Sequence, residues 1–526
     1  MKTSVLITAL SAMLLTIIAL PAFAASCESL ATLALPHTKI DLAEARPAGT
    51  FTPPGGKPVS GLPAFCRVAG KLMPSADSDI QFEVWLPAQG WNGKFQGVGN
   101  GGYAGAVAYP SLVDAVRNNY ATASTDTGHQ DNGQSAQWAL NHPEKVMDFG
   151  YRAIHETAVA AKAIISAFYG EAPKKSYFNS CSNGGRQALM EAQRYPADYD
   201  GIIAGAPANY WTHLLSSAAF GTKTMLSEPG SYIPPTKLPA ITAAAQAQCD
   251  AADGVKDGVI ENPLACKFDP EVLACKGKQD SDTCLTVHQM ASLKSIYGGL
   301  KNSKGQLLMP GLSPGGEAEQ GAWGAWVTGP APEKSSMFAY GTQFFKNIVY
   351  NDPDWKFQSF DVEKDVKTAD DRVARYLNST DTDLTAFHKR GGKLILYHGW
   401  SDAAIPAVNA INYYDAVQKR MGAATADSFV RLYMVPGMQH CSGGAGATAF
   451  GQLGTPDGDR FHSIDAALEA WVEQGAAPTQ IIASKKKSND PKSEVIRTHP
   501  LCPWPQVAKY KGAGSPDDAA NFTCSK

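Results

Sequence analysis

Charge is what this sequence has little of. Asp, Glu, Lys and Arg make up 18% of its 526 residues, and 46 Lys+Arg against 49 Asp+Glu leave a formal net charge of −3. That excludes the basic domain or stripe by which proteins grip nucleic acid, so no nucleic-acid partner is expected. Low charge with 44% hydrophobic residues also excludes a disordered chain. No repeat with a period of about 20 to 50 residues is visible, which removes solenoids and propellers. The sequence also lacks an apolar run as long as the roughly 20 residues a spanning helix needs. Its longest such run is Val5 to Leu20, 16 residues, preceded by the basic start Met1-Lys2 and broken by Pro21. Ala22-Phe23-Ala24 then has the small-x-small form of a signal-peptidase site. These features predict a cleaved signal peptide over residues 1–24 rather than a membrane anchor, leaving 502 residues. The expected location is secreted or periplasmic, an oxidising compartment where disulfides persist. Ten cysteines are too few for a disulfide-only scaffold at this length, but their even number permits full pairing.

A chain this long can bury a large core and suggests several domains, or one domain with a large insertion. The first stretch after the signal is rich in Pro and Gly. Ile80 to Leu86 then alternates polar and apolar residues as a strand does. Lys94 to Val98, Tyr120 to Ser124, Ser176 to Ser180 and Ile202 to Ala206 read as further short strands. Asp148 to Phe168 and Gly185 to Tyr195 read as helices between them. Strand and helix alternation predicts an α/β unit with a mainly parallel sheet. The texture changes near residue 209, with turn signals and many aromatics, and alternation returns only near residue 379. There Leu384–Lys389 reads as a helix, Lys393–His398 as a strand, Val408–Arg420 as a helix, Phe429–Val435 as a strand and Ile464–Glu473 as a closing helix. The expected organisation is a catalytic domain of residues 25–208 and 379–526, interrupted by a subdomain at 209–378. A structureless loop of that length would be improbable.

Ser182 sits between a predicted strand and a predicted helix, followed by Gly184 and Gly185. This is close to the G-x-S-x-G nucleophile elbow, in which small neighbours let a strained serine project from the sheet edge. Ser180 replaces the first glycine, and a small residue can still fit there. A phosphate loop would need Lys where Arg186 stands. The amide after the nucleophile, that of Asn183, is the expected oxyanion donor. Gly101 or Gly102, in the Gly97-Val-Gly-Asn-Gly-Gly-Tyr stretch, could supply a second. An α/β-hydrolase triad runs serine, acid, histidine along the chain. Asp402 after one late strand and His440 after the next satisfy that order. His398 precedes the acid at a strand end and reads as structural; His129 reads as a loop residue.

Cys181 precedes Ser182 and Cys441 follows His440. Cys181-Ser182-Asn-Gly-Gly-Arg-Gln, Gly399-Trp-Ser-Asp402 and Pro436-Gly-Met-Gln-His440-Cys441 together resemble the tannase and feruloyl esterase family, which includes MHET hydrolases. The resemblance extends from about residue 27 to the C-terminus. It implies an α/β-hydrolase core carrying a lid domain, here the segment 209–378. It implies the pairing Cys27–Cys66, Cys181–Cys441, Cys249–Cys266, Cys275–Cys284 and Cys502–Cys524, which spacing alone could not choose. It also implies a structural calcium ion. Asp250, Asp253 and Asp257 are hard oxygen ligands in a glycine-bearing loop, and the Val255 and Val259 carbonyls would complete the shell. No organic cofactor is implied.

A second absence bears on the substrate: no arginine occurs between Arg194 and Arg372. A lid that recognised a carboxylate bidentately would normally use one, as the resemblance to MHET hydrolases would imply. Arg372 and Arg375 lie near the end of the segment and leave that route open. Ten aromatics between Trp323 and Phe360 could face an aromatic acyl group, although most should form the lid's own core. The expected function is a serine carboxylesterase for small hydroxycinnamoyl, feruloyl-type esters. Alternatives are a tannase acting on galloyl esters, an MHET-type terephthalate monoester hydrolase, or an inactive polyphenol- or carbohydrate-binding protein on the same fold.

Overall fold

The computed structural model describes residues 26–277, 280–452, 458–488 and 493–526; the expected signal peptide at 1–24 lies outside them. A nine-stranded sheet forms the centre. Its strands are β1 (Thr38–Arg46), β2 (Phe65–Leu72), β3 (Ile80–Pro87), β4 (Lys94–Val98), β5 (Ala121–Thr125), β6 (Lys175–Cys181), β7 (Gly201–Gly205), β8 (Lys393–Gly399) and β9 (Val430–Val435). Their order across the sheet is β1-β2-β3-β5-β4-β6-β7-β8-β9. From β5 to β9 every neighbouring pair is parallel, while β1, β2 and β3 join antiparallel. Parallel strands are covered on both faces, so they read as continuous apolar runs. β5 and β7 are buried at every residue, which is why short stretches such as Gly201-Ile-Ile-Ala-Gly205 were legible as strands.

Helices Ala153–Tyr169, Asn183–Arg194 and Val408–Met421 cover one face, contributing Ile154, Ile164, Leu189, Tyr413 and Val417 to its core. Helix Ile464–Gln474 covers the other, packing Leu468 and Trp471 against Ile203, Ile395 and Tyr433. This is an α/β-hydrolase fold. The helix expected from Asp148 begins differently: Asp148–Arg152 is a π-helical turn, and the α-helix starts at Ala153. The elements missed from sequence are mostly edge or terminal. β1 alternates exposed and half-buried residues, and β2 carries the buried Arg67, satisfied by Glu83 on β3 and Glu44 on β1.

Between β7 and β8 the chain leaves the sheet. The insertion includes helices Trp211–Leu226, Leu238–Cys249, Val287–Gly298, Ser336–Gln343 and Val362–Ala369. Phe344, Phe345, Trp355 and Phe360 of the insertion share a core with Tyr103 and Phe149 from the sheet side. After β9 and the last helix come two hairpins, Ile481–Lys486 with Val495–Leu501 and Val507–Tyr510 with Phe522–Ser525. All five disulfides that the resemblance implied are formed, and the described residues contain no free cysteine. No helix among the described residues is long and apolar enough to cross a membrane.

Candidate active site

The site lies where open α/β sheets bind ligands, beyond the carboxyl ends of the parallel strands. Gly102 follows β4, Ser182 follows β6, Asp402 follows β8 and His440 follows β9. Ser182 has φ 68° and ψ −125°, a conformation that L-residues rarely adopt. The turn is closed by Ser182 N–H donating to the Gly205 carbonyl at 2.9 Å, and by Ala208 N–H donating to the Ser182 carbonyl at 3.1 Å. Its glycines are there for close approach. A Cβ on Gly185 would stand 2.2 Å from the Gly205 carbonyl oxygen, and one on Gly184 would stand 1.8 Å from Ser180 Oγ. The second contact explains how Ser180 can replace the first glycine of the elbow: its hydroxymethyl group uses space that Gly184 leaves open.

His440 Nε2 accepts from Ser182 Oγ at 2.9 Å, and His440 Nδ1 donates to Asp402 Oδ2 at 2.9 Å. Asp402 is buried and accepts from the Ala404 and Ile405 amides at 2.8 and 3.0 Å. Burial opposes its ionisation. The His440 charge, with hydrogen bonds from His398 and His440, outweighs burial and holds the carboxyl well below the usual carboxylate range. His398, read from sequence as structural, is fully buried. Its Nε2–H donates to the Ile405 carbonyl at 3.0 Å and lies 3.1 Å from Asp402 Oδ2. It therefore braces the same carboxylate oxygen that His440 contacts. His129 is also buried, stacked on Trp138 with its Nε2–H donating to the Tyr103 carbonyl at 2.7 Å.

The Cys181–Cys441 bridge joins the residues flanking Ser182 and His440, with Cα atoms 5.9 Å apart across 260 residues of sequence. Cys441 itself has φ 66°. Beyond it, Gln439 Nε2–H donates to the Gly316 carbonyl at 3.0 Å and lies 3.1 Å from Glu319 Oε2, tying the base loop to the insertion. Burial pushes the Glu319 carboxyl up to about 7, against the opposing hydrogen bond from Gln439.

The serine opens into a pocket. Gly102 and Asn183 line it beside Ser182, whereas Gly101 is not among its lining residues. Asn183 is the first residue of its helix, so its N–H has no intrahelical acceptor and is free for an oxyanion. Gly102 has φ 56°, and a Cβ there would meet the Gly133 carbonyl oxygen at 2.3 Å. Of the two glycines expected as donors, Gly102 is the one the fold brings to the pocket. The walls come largely from the insertion, including Trp211, Leu215, Phe220, Ile296, Trp326 and Tyr340, and among the described residues no charged side chain lines it. Of the ten insertion aromatics, only Trp326 and Tyr340 line the pocket. Trp326 packs edge-on against the His440 ring at 5.0 Å and stacks on Tyr340 at 5.9 Å. Trp323, Phe344, Phe345, Trp355, Phe357 and Phe360 are buried in the insertion's core, as most of the ten were expected to be. Trp211 and Phe220 lie outside the aromatic cluster singled out in the sequence. Arg372 donates to the Val349 carbonyl at 2.6 Å and Arg375 lies over the Tyr376 ring; neither lines the pocket.

The acidic loop folds on itself. Asp250 Oδ1 accepts from Asp257 N–H and Gly258 N–H at 3.2 and 3.1 Å, Asp253 Oδ1 from Val255 N–H at 2.9 Å, and Asp257 Oδ1 from Val259 N–H at 3.0 Å. Asp253, Val255, Asp257, Val259 and Glu261 line one small cavity with Arg497 and His499, which Pro436, Gly446 and Ala447 close from the base-loop side; Asp250, the remaining expected ligand, is not among its lining residues. Burial, then the charges of Glu261, Asp257 and Asp250, push the Asp253 carboxyl up to about 6. Arg497 pairs with Asp257 Oδ2 at 2.7 Å. Carboxylate and carbonyl oxygens are the donor type a hard divalent cation takes, although Arg497 already neutralises part of the charge on Asp257.

These geometric findings agree with what the chain is similar to. The family model described as "Tannase and feruloyl esterase" matches residues 66–525. An uncharacterized esterase of Xanthomonas campestris pv. campestris is 43% identical, covering 95% of this chain and 91% of the relative. A probable feruloyl esterase B-2 of Aspergillus terreus is 36% identical, covering 96% and 95%. The crystal structure of feruloyl esterase B from Aspergillus oryzae superposes with a TM-score of 0.87 at 32% identity, covering 95% of this chain and 99% of that one. The chain belongs to the tannase and feruloyl esterase family of carboxylic ester hydrolases.

Proposed function

We propose that this protein is a secreted or periplasmic serine esterase that hydrolyses hydroxycinnamoyl, feruloyl-type esters through an acyl-enzyme. Ser182 Oγ attacks the ester carbonyl as His440 Nε2 takes its proton. Asp402 holds the imidazole in the tautomer whose Nε2 is free to accept, and stabilises the imidazolium that forms. The Asn183 and Gly102 amides receive the oxyanion. His440 then protonates the leaving alkoxide, and a water activated by the same histidine releases the acid. The observation that carries this reading is the 2.9 Å contact from His440 Nε2 to Ser182 Oγ at the mouth of a pocket with apolar walls.

The acyl group follows from the same walls. A terephthalate carboxylate would find no cationic partner among the lining side chains, and burying it unpaired is costly. Three gallate hydroxyls would need more polar partners than one methoxylated phenol does. Trp326 and Phe220 offer faces to a planar cinnamoyl group. The disulfides support an oxidising compartment. A calcium ion held by Asp250, Asp253 and Asp257, with the Val255 and Val259 carbonyls, has a structural role. The test is a panel of methyl ferulate, methyl gallate, chlorogenic acid and MHET. The highest kcat/KM is expected on methyl ferulate or chlorogenic acid. A higher value on MHET or methyl gallate overturns the assignment.

A further inference from the structure

Arg186 is a buried cation with no anionic partner among the described residues. It is 0% exposed, four residues beyond Ser182 on the helix that the nucleophile turn starts. Its Nε–H donates to Asn183 Oδ1 at 2.8 Å, Nη1 to the Gly150 and Leu377 carbonyls at 2.6 and 3.3 Å, and Nη2 to the Phe149 carbonyl at 2.9 Å. The guanidinium lies against two neighbouring rings, 4.8 Å from the Phe149 centroid and 5.2 Å from that of Trp211, which lines the pocket. Arg67, the other deeply buried arginine, shows the usual solution: it is clamped by Glu83 and Glu44. Taking an unpaired charge out of water costs several kcal/mol per ion. Burial pulls the Arg186 pKa down to about 9, which still leaves it charged at neutral pH. Packing alone would be met more cheaply by an apolar residue of similar size.

The acceptors are specific. Phe149 and Gly150 belong to the π-helical turn Asp148–Arg152, a departure from α-helix that often marks a functional position. Leu377 follows a second π-helical turn, Asp370–Ala374, at the end of the insertion. A Cβ on Gly150 would meet the Tyr376 carbonyl oxygen at 2.5 Å, so the two backbones touch where the guanidinium joins them. One side chain thus fixes three things against one another: the side chain of the residue whose N–H is the oxyanion donor, the π turn beneath it, and the end of the segment that walls the pocket.

We propose that Arg186 is the positioning residue of the oxyanion hole, holding Asn183 in place and setting a fixed positive charge behind the site where negative charge develops. This rests on the serine-esterase reading above. Charge preorganised in a dry site acts on the transition state more than on the ground state, because the substrate carbonyl is neutral until attack. Arg186 therefore acts on kcat and leaves KM nearly unchanged.

The test compares wild type, Arg186→Met and Arg186→Lys on methyl ferulate, with Tm and fluorophosphonate labelling of Ser182 alongside. Arg186→Met removes the charge and the fork, and kcat should fall roughly 100-fold with KM within about twofold. Arg186→Lys keeps the charge but not the four-way fork, and should recover part of that loss, ending roughly 10-fold below wild type. A purely structural role predicts equal losses in both variants that track Tm. If Arg186→Met does not fold, Arg186→Lys decides alone, and wild-type kcat in it overturns the proposal. Equal kcat in wild type and a folded Arg186→Met also overturns it, while Ser182 labelling leaves the serine reading standing. Failure of wild type to label at Ser182 sinks the serine reading instead.

Discussion

Breaking the Cys181–Cys441 bridge should cost catalysis more than it costs the fold. The double variant Cys181→Ala/Cys441→Ala removes a cross-link that closes 260 residues. The chain-entropy relation puts the loss at about 5.6 kcal/mol, and measured bridges usually give about 2–4. Measured bridges fall below the chain-entropy figure because the unfolded chain retains structure, so the lower figure is the better guide. The catalytic effect has a separate origin. Ser182 and Cys441 both sit at positive φ, 68° and 66°, and each such residue carries about 1–3 kcal/mol of backbone strain that its surroundings must hold. The bridge ties Cys441 to Cys181, the residue directly before Ser182. Without it either turn can relax, and the 2.9 Å Ser182–His440 contact lengthens. Misplacement by about 1 Å costs on the order of 100-fold in rate. The control is Cys502→Ala/Cys524→Ala, which opens a 22-residue bridge between C-terminal strands. Both variants are assayed on methyl ferulate at a temperature where calorimetry shows them folded. The active-site variant should lose about 10- to 100-fold in kcat and the control less than about twofold. Equal kcat in the two variants would refute the idea that the bridge holds the serine and histidine in register.

Two further outcomes concern stability. Glu319 has its carboxyl raised from about 4.5 to about 7, so between those values the folded protein holds a proton that the unfolded chain has lost. Stability therefore falls as pH rises through that window, by about 1.4 kcal/mol for each pH unit. Glu319→Gln should flatten the drop in Tm between pH 5 and 7 measured for wild type; an unchanged slope removes Glu319 as a contributor. Elemental analysis should find one calcium per chain, and chelation should lower Tm. At a free calcium 1,000-fold above Kd the stabilisation is about 4 kcal/mol. No bound calcium, together with the same Tm with and without chelator, contradicts the calcium assignment.

The parallel core was legible because strands buried on both faces are short apolar runs between helices. β1 was not: Ile40 and Leu42 alternate with Lys39 and Asp41 for only two repeats before Ala43-Glu44-Ala45 blurs the pattern, and a register shift falls between Ile40 and Leu42. Nor was β2, whose Arg67 and Lys71 look wrong for a strand until Glu83 and Glu44 are seen to pair with Arg67. Ser182, Asp402 and His440, which the fold brings within hydrogen-bond reach of one another, could be singled out in the sequence because their order and their strand-end positions are properties of the chain. The pocket could not. Trp326 and Tyr340 differ from Trp323 and Phe345 only in where the insertion folds back, and sequence spacing does not carry that. Gly102 separates from Gly101 only once its positive φ and its place beside Ser182 are visible. Arg186 entered the sequence reading as the residue that spoiled a phosphate loop and as one letter of the motif around Ser182, with no role of its own. Its acceptors Phe149, Gly150 and Leu377 lie 37, 36 and 191 residues away, and two of them are presented by a π turn that helical periodicity does not signal.

The most direct measurement is the covalent intermediate. Wild-type protein mixed with methyl ferulate, acid-quenched within milliseconds and digested, should carry one feruloyl group on the peptide containing Ser182. Ser182→Ala should carry none and lose on the order of 10⁴- to 10⁶-fold in kcat. A feruloyl group on another residue, or turnover by Ser182→Ala at the wild-type rate, would contradict the account.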